Sequence, residues 1–404
     1  MTKNSTYLAS KPRYEILDGL RGVAAIMVVA FHLLETYYHM KPDQPINHGY
    51  LAVDFFFVLS GFVIGYAYDD RWNKMSLGNF FKRRLVRLHP MLMFGTLFGA
   101  LMFYFGGDTP YMESVLQTPW WMLVLVMLWG FTLIPLPNAF DIRGWKEMHP
   151  LNNAQWSLMW EYIANVLYAL VIRHFRRWML VLFVVLSAGL TMCLCLNIDL
   201  FGVWSERTHE SYTVIGGWSL DPDHLVIAVT RLFYPFFMGL LLSRMFTGAD
   251  GGRKMLKLES FRIRGGFWWC SLMIAVLLCM PWLGLGAEGE SRWTNGLYEA
   301  FVILACFPLV VALGAGSKVT DARGQAVCRF LGDISYPLYV THYPLIYFQM
   351  SFAASHPDLP ASTKIAFSAS LFILAIFVAY ASLKLYDLPV REWLKQKLFK
   401  PAAK

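Results

Sequence analysis

An arginine and a histidine, Arg21 and His32, sit eleven positions apart inside the first membrane-length apolar stretch of this chain, residues 17–38. An ionisable side chain in hydrocarbon costs several kcal/mol, so two on one helix need a reason. Eleven residues is close to three helical turns, which puts both on nearly the same face and about 16 Å apart along the axis. One helix then carries a permanent cation near its start and a titratable imidazole deeper in. That pattern points to a buried reaction site or conduit.

The surroundings of this stretch decide what kind of chain carries it. Of 404 residues, 57% are hydrophobic and 15% charged, against about 25% charged in soluble domains, so this is a polytopic membrane protein. The first stretch does not read as a cleaved signal peptide, because it holds Arg21 and His32 and no small-residue cleavage site closes it before His39. The net charge of +8 is explained by topology, and no nucleic-acid partner is expected. The six cysteines read as buried thiols, with no disulfide framework and no metal site.

Eleven apolar stretches of membrane length follow one another from residue 17 to residue 384. The connections 1–16, 69–89, 173–178, 244–266, 316–330 and 385–404 hold 26 Lys and Arg, the remaining loops five. Basic loops stay cytoplasmic. They share one side only if one of 90–106 and 119–136 fails to cross. The expected fold is therefore an all-α, polytopic transmembrane helix bundle of about ten spans, with 119–136 as a re-entrant or half-membrane element carrying Trp120, Trp121 and Trp129. Both termini are expected in the cytoplasm. No repeat or hydrophilic stretch marks a second domain, so residues 1–404 read as one membrane-embedded unit with its core at about 14–395.

Four segments carry polar chemistry. After the second stretch, Arg83-Arg84-Leu85-Val86-Arg87 places Arg84 and Arg87 three apart, a fork suited to phosphate; the plainer reading is a positive-inside anchor. Asp54 lies near the outer end of the second stretch, followed by Phe55-Phe56-Phe57 and by Ser60-Gly61, where helices can approach closely. It can cap its helix or serve the site. Trp156-Ser157 opens the fifth stretch from outside, and Glu161 beyond them needs a partner, either in a site or in an ion pair such as one with Arg231. Late in the chain, Tyr336 and His342 lie on an in-to-out helix, with His342 near the depth of His32. Two histidines at matching depth, with Glu161 entering from outside, suggest a shared polar cavity.

Taken in order, these segments resemble the integral-membrane acyltransferase family 3, whose members O-acylate mostly carbohydrates. The resemblance covers about residues 14–395. It rests on Leu17-Asp18-Gly19-Leu20-Arg21-Gly22 with His32, Val53-Asp54-Phe55-Phe56-Phe57-Val58-Leu59-Ser60-Gly61-Phe62, Arg84-Leu85-Val86-Arg87 with Pro90, and Trp156-Ser157-Leu158 with Glu161. Arg231 with Gly239, Leu331-Gly332-Asp333-Ile334-Ser335-Tyr336 and Tyr386-Asp387-Leu388-Pro389-Val390-Arg391 complete it. The resemblance implies that Arg21 and His32 form the family's essential pair, that Arg84 and Arg87 handle the acyl donor, and that Glu161 is its functional glutamate. Met159-Trp160 departs from the Ser and small residue more usual there, which would reshape the acceptor side. With no esterase-like domain read after residue 395, the resemblance implies the stand-alone form of the family.

The function expected is membrane O-acyl transfer, acetyl first among acyl groups, from cytoplasmic acyl-CoA to a hydroxyl of a carbohydrate or glycan precursor. Acyl-CoA acts as co-substrate, with no tightly bound cofactor. Arg83, Arg84 and Arg87 would land the nucleotide, and Asp54, Trp156, Ser157, Tyr336 and His342 would line the acceptor side. His32 would serve as general base, Glu161 would orient it or stabilise the imidazolium, and Arg21 would steady the thioester oxyanion or a donor phosphate. An acyl-histidine relay is the other route. The alternatives are a proton-coupled transporter or flippase of a sugar precursor, which buried His, Arg and Glu also suit, and acylation of an antibiotic or lipid head group. A bacterial inner membrane is the expected location, with a second copy of the chain as an optional partner.

Overall fold

A segment in hydrocarbon must satisfy its own backbone groups, and a helix does so without help from a neighbour. The apolar runs accordingly fold as helices throughout. The computed structural model describes residues 11–38, 44–106, 115, 117–204, 211–284 and 292–399, and no strand occurs among them. In chain order the helices are α1 (Glu15–Tyr38), α2 (Ala52–Tyr68), α3 (Leu77–Gly106), α4 (Trp120–Gly130), α5 (Gln155–Leu170) and α6 (Arg177–Cys195). There follow α7 (Pro222–Thr247), α8 (Gly266–Cys279), α9 (Trp293–Gly316), α10 (Ala322–Thr341), α11 (Tyr343–Ser355) and α12 (Ala361–Leu398). Rows of apolar side chains stay exposed on the outer helices, such as Leu182, Val185 and Leu186 of α6 and Ile373 and Phe377 of α12. Surfaces of that kind belong against lipid.

Seven of these helices are long and apolar enough to cross a membrane: α1, α2 with its flanking turns, α3, α6, α7, α9 and α12. The hydropathy reading of ten spans thus exceeds what single helices of full length supply. Three of its stretches are short or interrupted. Helix α8 has 14 residues, α5 has 16, and the late stretch 331–353 is divided between α10 and α11 at His342, just ahead of Pro344.

The stretch 119–136 has its own explanation. Helix α4 has 11 residues and is about 16 Å long, half of a hydrocarbon core. It runs back along α3, with Gly130 reaching Thr96. The chain then turns at Leu133, which adopts a left-handed φ of 62°. After a loop it descends beside α3 again. Leu151 lies against Gly99, Asn152 Nδ2 donates to the Val340 carbonyl, and Gln155 Nε2 donates to Leu92 O and Thr96 Oγ1. Helix α5 therefore begins beside the middle of α3, not at its end. Non-helical backbone at that depth is tolerated because it is buried in protein, here with Asn152 and Gln155 almost wholly enclosed.

Two helix pairs set the frame of the site. Helices α2 and α7 touch backbone to backbone: a Cβ on Gly61 would lie 1.8 Å from the Phe236 carbonyl oxygen, and one on Gly239 would lie 2.0 Å from that of Val58. Ser60-Gly61 is the close-approach step that the sequence suggested. Helices α1 and α10 meet the same way, through Gly22 against Leu331 and Gly332 against Asp18. The two motifs Asp18–Gly22 and Leu331–Tyr336, more than 300 residues apart, are one packing unit.

Candidate active site

The cation and the imidazole of α1 end up in different surroundings. Toward the start of the helix, Arg21 Nε donates to Ser335 Oγ at 2.8 Å and NH2 to the Gly332 carbonyl at 3.2 Å, with Asp18 paired at 3.1 Å. The guanidinium is thus held by the turn of α10 that Gly332 allows to come close. Arg87 lies within electrostatic reach of Arg21, Arg84, Asp18 and Tyr68. Its side chain is solvent-exposed. Arg21, Arg84 and Arg87 therefore converge at one end of the bundle. Arg83 turns elsewhere and lies 5.2 Å over the ring of Phe399.

Glu161 belongs to this arginine cluster. Arg84 NH2 donates to Glu161 Oε1 at 2.8 Å, and Ser60 Oγ donates to the same oxygen at 2.7 Å. The structure does not bring Glu161 to His32 or to Arg231. The physical reason is the broken crossing: because α5 starts beside mid-α3, its seventh residue is already level with Arg84. Tyr336 lies nearby on α10 and donates its hydroxyl to the Leu88 carbonyl at 2.7 Å.

About three turns along α1, His32 Nδ1 faces Glu35 Oε2 at 2.7 Å. Both side chains keep about a fifth of their surface accessible. The His32 ring stacks against His342, with centroids 5.6 Å apart and planes at 26°, and meets Tyr343 edge-on at 5.1 Å. The matching depth of the two histidines is thus direct contact. His342 is 1% exposed; its Nδ1 donates to the Tyr339 carbonyl at 2.8 Å, which leaves Nε2 as a buried lone pair without a protein partner. Asn153 Nδ2 donates to Tyr343 OH at 3.3 Å and has a buried Oδ1 without a partner of its own.

The remaining candidates are engaged by protein partners. Asp54 is fully buried and forms a two-pronged pair with Arg231, NH2 to Oδ2 at 2.7 Å and Nε to Oδ1 at 3.3 Å. Arg231 also donates to Tyr50 O and Gly216 O. Trp156 lies under the same guanidinium at 5.3 Å, and Ser157 Oγ shares a 2.6 Å hydrogen bond with Tyr339 OH. They tie α2, α7 and the start of α5 together on the histidine side. Sequence reasoning missed Glu35 and Asn153. Glu35 carried a signal, since a His-x-x-Glu spacing puts both side chains on one helical face.

Three arginines thus gather at one end of α1, and a carboxylate–imidazole pair sits about three turns along it. Comparison with known proteins gives the family: residues 14–384 match the model described as an acyltransferase domain, and the chain belongs to that family of membrane acyltransferases. It is similar to protein 2 in the picA locus of Rhizobium radiobacter, 32% identical over 163 residues, which are 39% of this chain and 81% of that protein. It is similar to the O-acetyltransferase OatA of Staphylococcus aureus, 24% identical over 84% of this chain and 52% of that one. The peptidoglycan O-acetyltransferase OatA of Listeria monocytogenes is 23% identical over 93% of this chain and 55% of its own. The chain thus spans about half the length of the OatA relatives. No solved structure matches it.

Proposed function

We propose that this protein O-acetylates a glycan, taking the acetyl group from cytoplasmic acetyl-CoA and passing it to a sugar hydroxyl on the far side of the membrane. The observation that carries this reading is the division of α1 into two ends, arginines at one and a carboxylate-held imidazole at the other. The names of the two OatA relatives support acetyl as the group and an envelope polysaccharide as the acceptor class.

In this reading, Arg84, Arg87 and Arg21 receive the phosphates of CoA, which charge-assisted hydrogen bonds from guanidinium groups suit well. The pantetheine arm extends along α1 over the roughly 16 Å to His32. His32 Nε2 takes the proton of the acceptor hydroxyl while its oxygen attacks the thioester carbonyl; the C–S bond breaks and the departing thiolate takes the proton from the imidazolium. Arg21 serves the donor phosphates and not the oxyanion, because Ser335 and Gly332 hold it at the other end. Asn153 and His342 Nε2 offer the acceptor its polar contacts.

The topology that goes with this is ten crossings in a bacterial inner membrane. The α4–α5 pair would make one broken crossing, α8 and the bent α10–α11 pair one each, with both termini and the arginine cluster on the cytoplasmic side. The test is acetyl transfer by the purified protein in detergent, read as CoA released and as O-acetyl on an added glycan. No gradient exists there, so a transporter would be silent. His32→Ala is expected to abolish transfer with donor binding retained. Near-normal turnover in that variant would overturn the assignment of the base.

A further inference from the structure

We infer that Glu35 is a positioning residue that fixes the tautomer and orientation of His32, so that Nε2 is the nitrogen presented to the reacting hydroxyl. This rests on the acyl-transfer reading above and names the residue that makes its base competent. The contact is 2.7 Å between His32 Nδ1 and Glu35 Oε2. A carboxylate can only accept, so the ring nitrogen facing it carries the hydrogen and the other ring nitrogen carries the lone pair. In the opposite tautomer two lone pairs would face each other at that distance.

Four side chains face His32: Glu35 and Phe31 of α1 itself, and His342 and Tyr343 at the junction of α10 and α11. Of these, Glu35 alone brings a carboxyl group to a ring nitrogen of His32. His342 is spoken for at Nδ1 by the Tyr339 carbonyl and meets the His32 ring by stacking. The carboxylate therefore sets the ring. It also stabilises the imidazolium formed during the reaction, and the same geometry would do so in either the direct or the relayed route.

The dyad has a feature suited to its place. Glu35 and His32 are three residues apart on one helix, so their geometry depends on α1 and not on the docking of a second helix. Helix α1 is pinned around them: Gln349 Nε2 donates to the Leu33 carbonyl at 2.7 Å, and Thr36 Oγ1 donates to that of His32 at 3.2 Å. The base can then keep its orientation independently of the neighbouring helices. Glu161, which the sequence suggested for this duty, is engaged by Arg84 and Ser60.

The experiment uses the full-length protein in nanodiscs with ¹⁵N-labelled histidine, comparing wild type with Glu35→Gln, Glu35→Asp and His32→Ala, the last to assign the His32 signals. Ring-nitrogen shifts should show His32 protonated at Nδ1 in wild type, kept by Glu35→Asp and lost or mixed in Glu35→Gln. Turnover in Glu35→Gln should fall at least about tenfold with the donor KM unchanged, part of the 10²–10⁴ that a positioned base contributes. Glu35→Asp should restore much of the rate. A merely structural glutamate would move none of these in protein that is still folded. Unchanged His32 ring shifts and unchanged turnover in Glu35→Gln would overturn the inference. Turnover that survives His32→Ala would overturn the base assignment beneath it, and the ring shifts would still report separately whether Glu35 holds the imidazole.

Discussion

Arg84 of α3 and Glu161 of α5 close on each other at 2.8 Å, with 5% and 18% of their side chains exposed. Ser60 adds a hydroxyl to the same carboxylate oxygen, so three helices meet at one anion. Removing one partner of a buried pair leaves the other uncompensated, which costs about 3–5 kcal/mol. Glu161→Ala should therefore lower thermal stability markedly, and Arg84→Ala should do so as well. The double variant Arg84→Met with Glu161→Leu should recover much of the stability without recovering CoA affinity. Donor binding at wild-type strength in that folded double variant would reduce Arg84 to a brace.

Arg87 separates the two duties of the arginine motif. It is solvent-exposed and lies near two other cations, Arg84 and Arg21, an arrangement that favours an anion between them. Arg87→Ala should weaken CoA binding about tenfold or more and leave the melting temperature nearly unchanged, and Arg87→Lys should rescue poorly for want of the planar fork. Binding isotherms at two salt concentrations check the electrostatic origin, since the wild-type affinity should fall more steeply with salt than that of the variant. Equal slopes would argue against a phosphate contact at Arg87.

The fold class and the ends of the site were legible in the sequence because both rest on local rules. Apolar length gives helices, and the three-turn interval from Arg21 to His32 is fixed by helix geometry alone. What the sequence did not show is where α5 starts. Periodicity reports a helix but not its depth, and the depth here is set by Gln155 reaching Leu92 and Thr96, partners some 60 positions away. That shift of level carried Glu161 from the histidine side to the arginine side, and it left Asp54, not Glu161, for Arg231. The partner of His32 was three residues off in plain view, but a membrane-depth glutamate draws the eye to another helix first.

The contact of α2 with α7 leaves no room for a side chain. Because the atoms a new Cβ would meet at Gly61 and Gly239 are backbone carbonyl oxygens, they cannot rotate away. Gly61→Ala should force the helices apart and cost more than the 1–3 kcal/mol of ordinary overpacking. It should also disturb Ser60 and with it the Arg84–Glu161 group. Yield of folded, monodisperse protein and the melting temperature test this; Gly78, with open space around it, is the control site at which alanine should be silent. A Gly61→Ala protein as stable as wild type would mean that the two helices are not packed this closely.

Glu147, in the connection between α4 and α5, accepts a 2.5 Å hydrogen bond from Tyr347 and pairs across a short bridge with Ser219. Burial pushes its carboxyl up from its ordinary 4.5 to about 7, against the opposing pull of Arg143 and of the Tyr347 hydrogen bond. The sign follows from proton counting. Between about pH 4.5 and 7 the folded protein keeps a proton that the unfolded chain releases, so this group makes stability fall as pH rises through that window and level off above it. At pH 8 the penalty for holding the charge inside is on the order of a few kcal/mol. Glu147→Gln, which mimics the protonated form and can still accept from Tyr347, should flatten this part of the pH profile and raise the melting temperature at pH 8 more than at pH 5. Thermal unfolding in detergent at the two pH values checks it. A variant that is less stable than wild type at pH 8 would show that Glu147 is held as an anion by Arg143 after all.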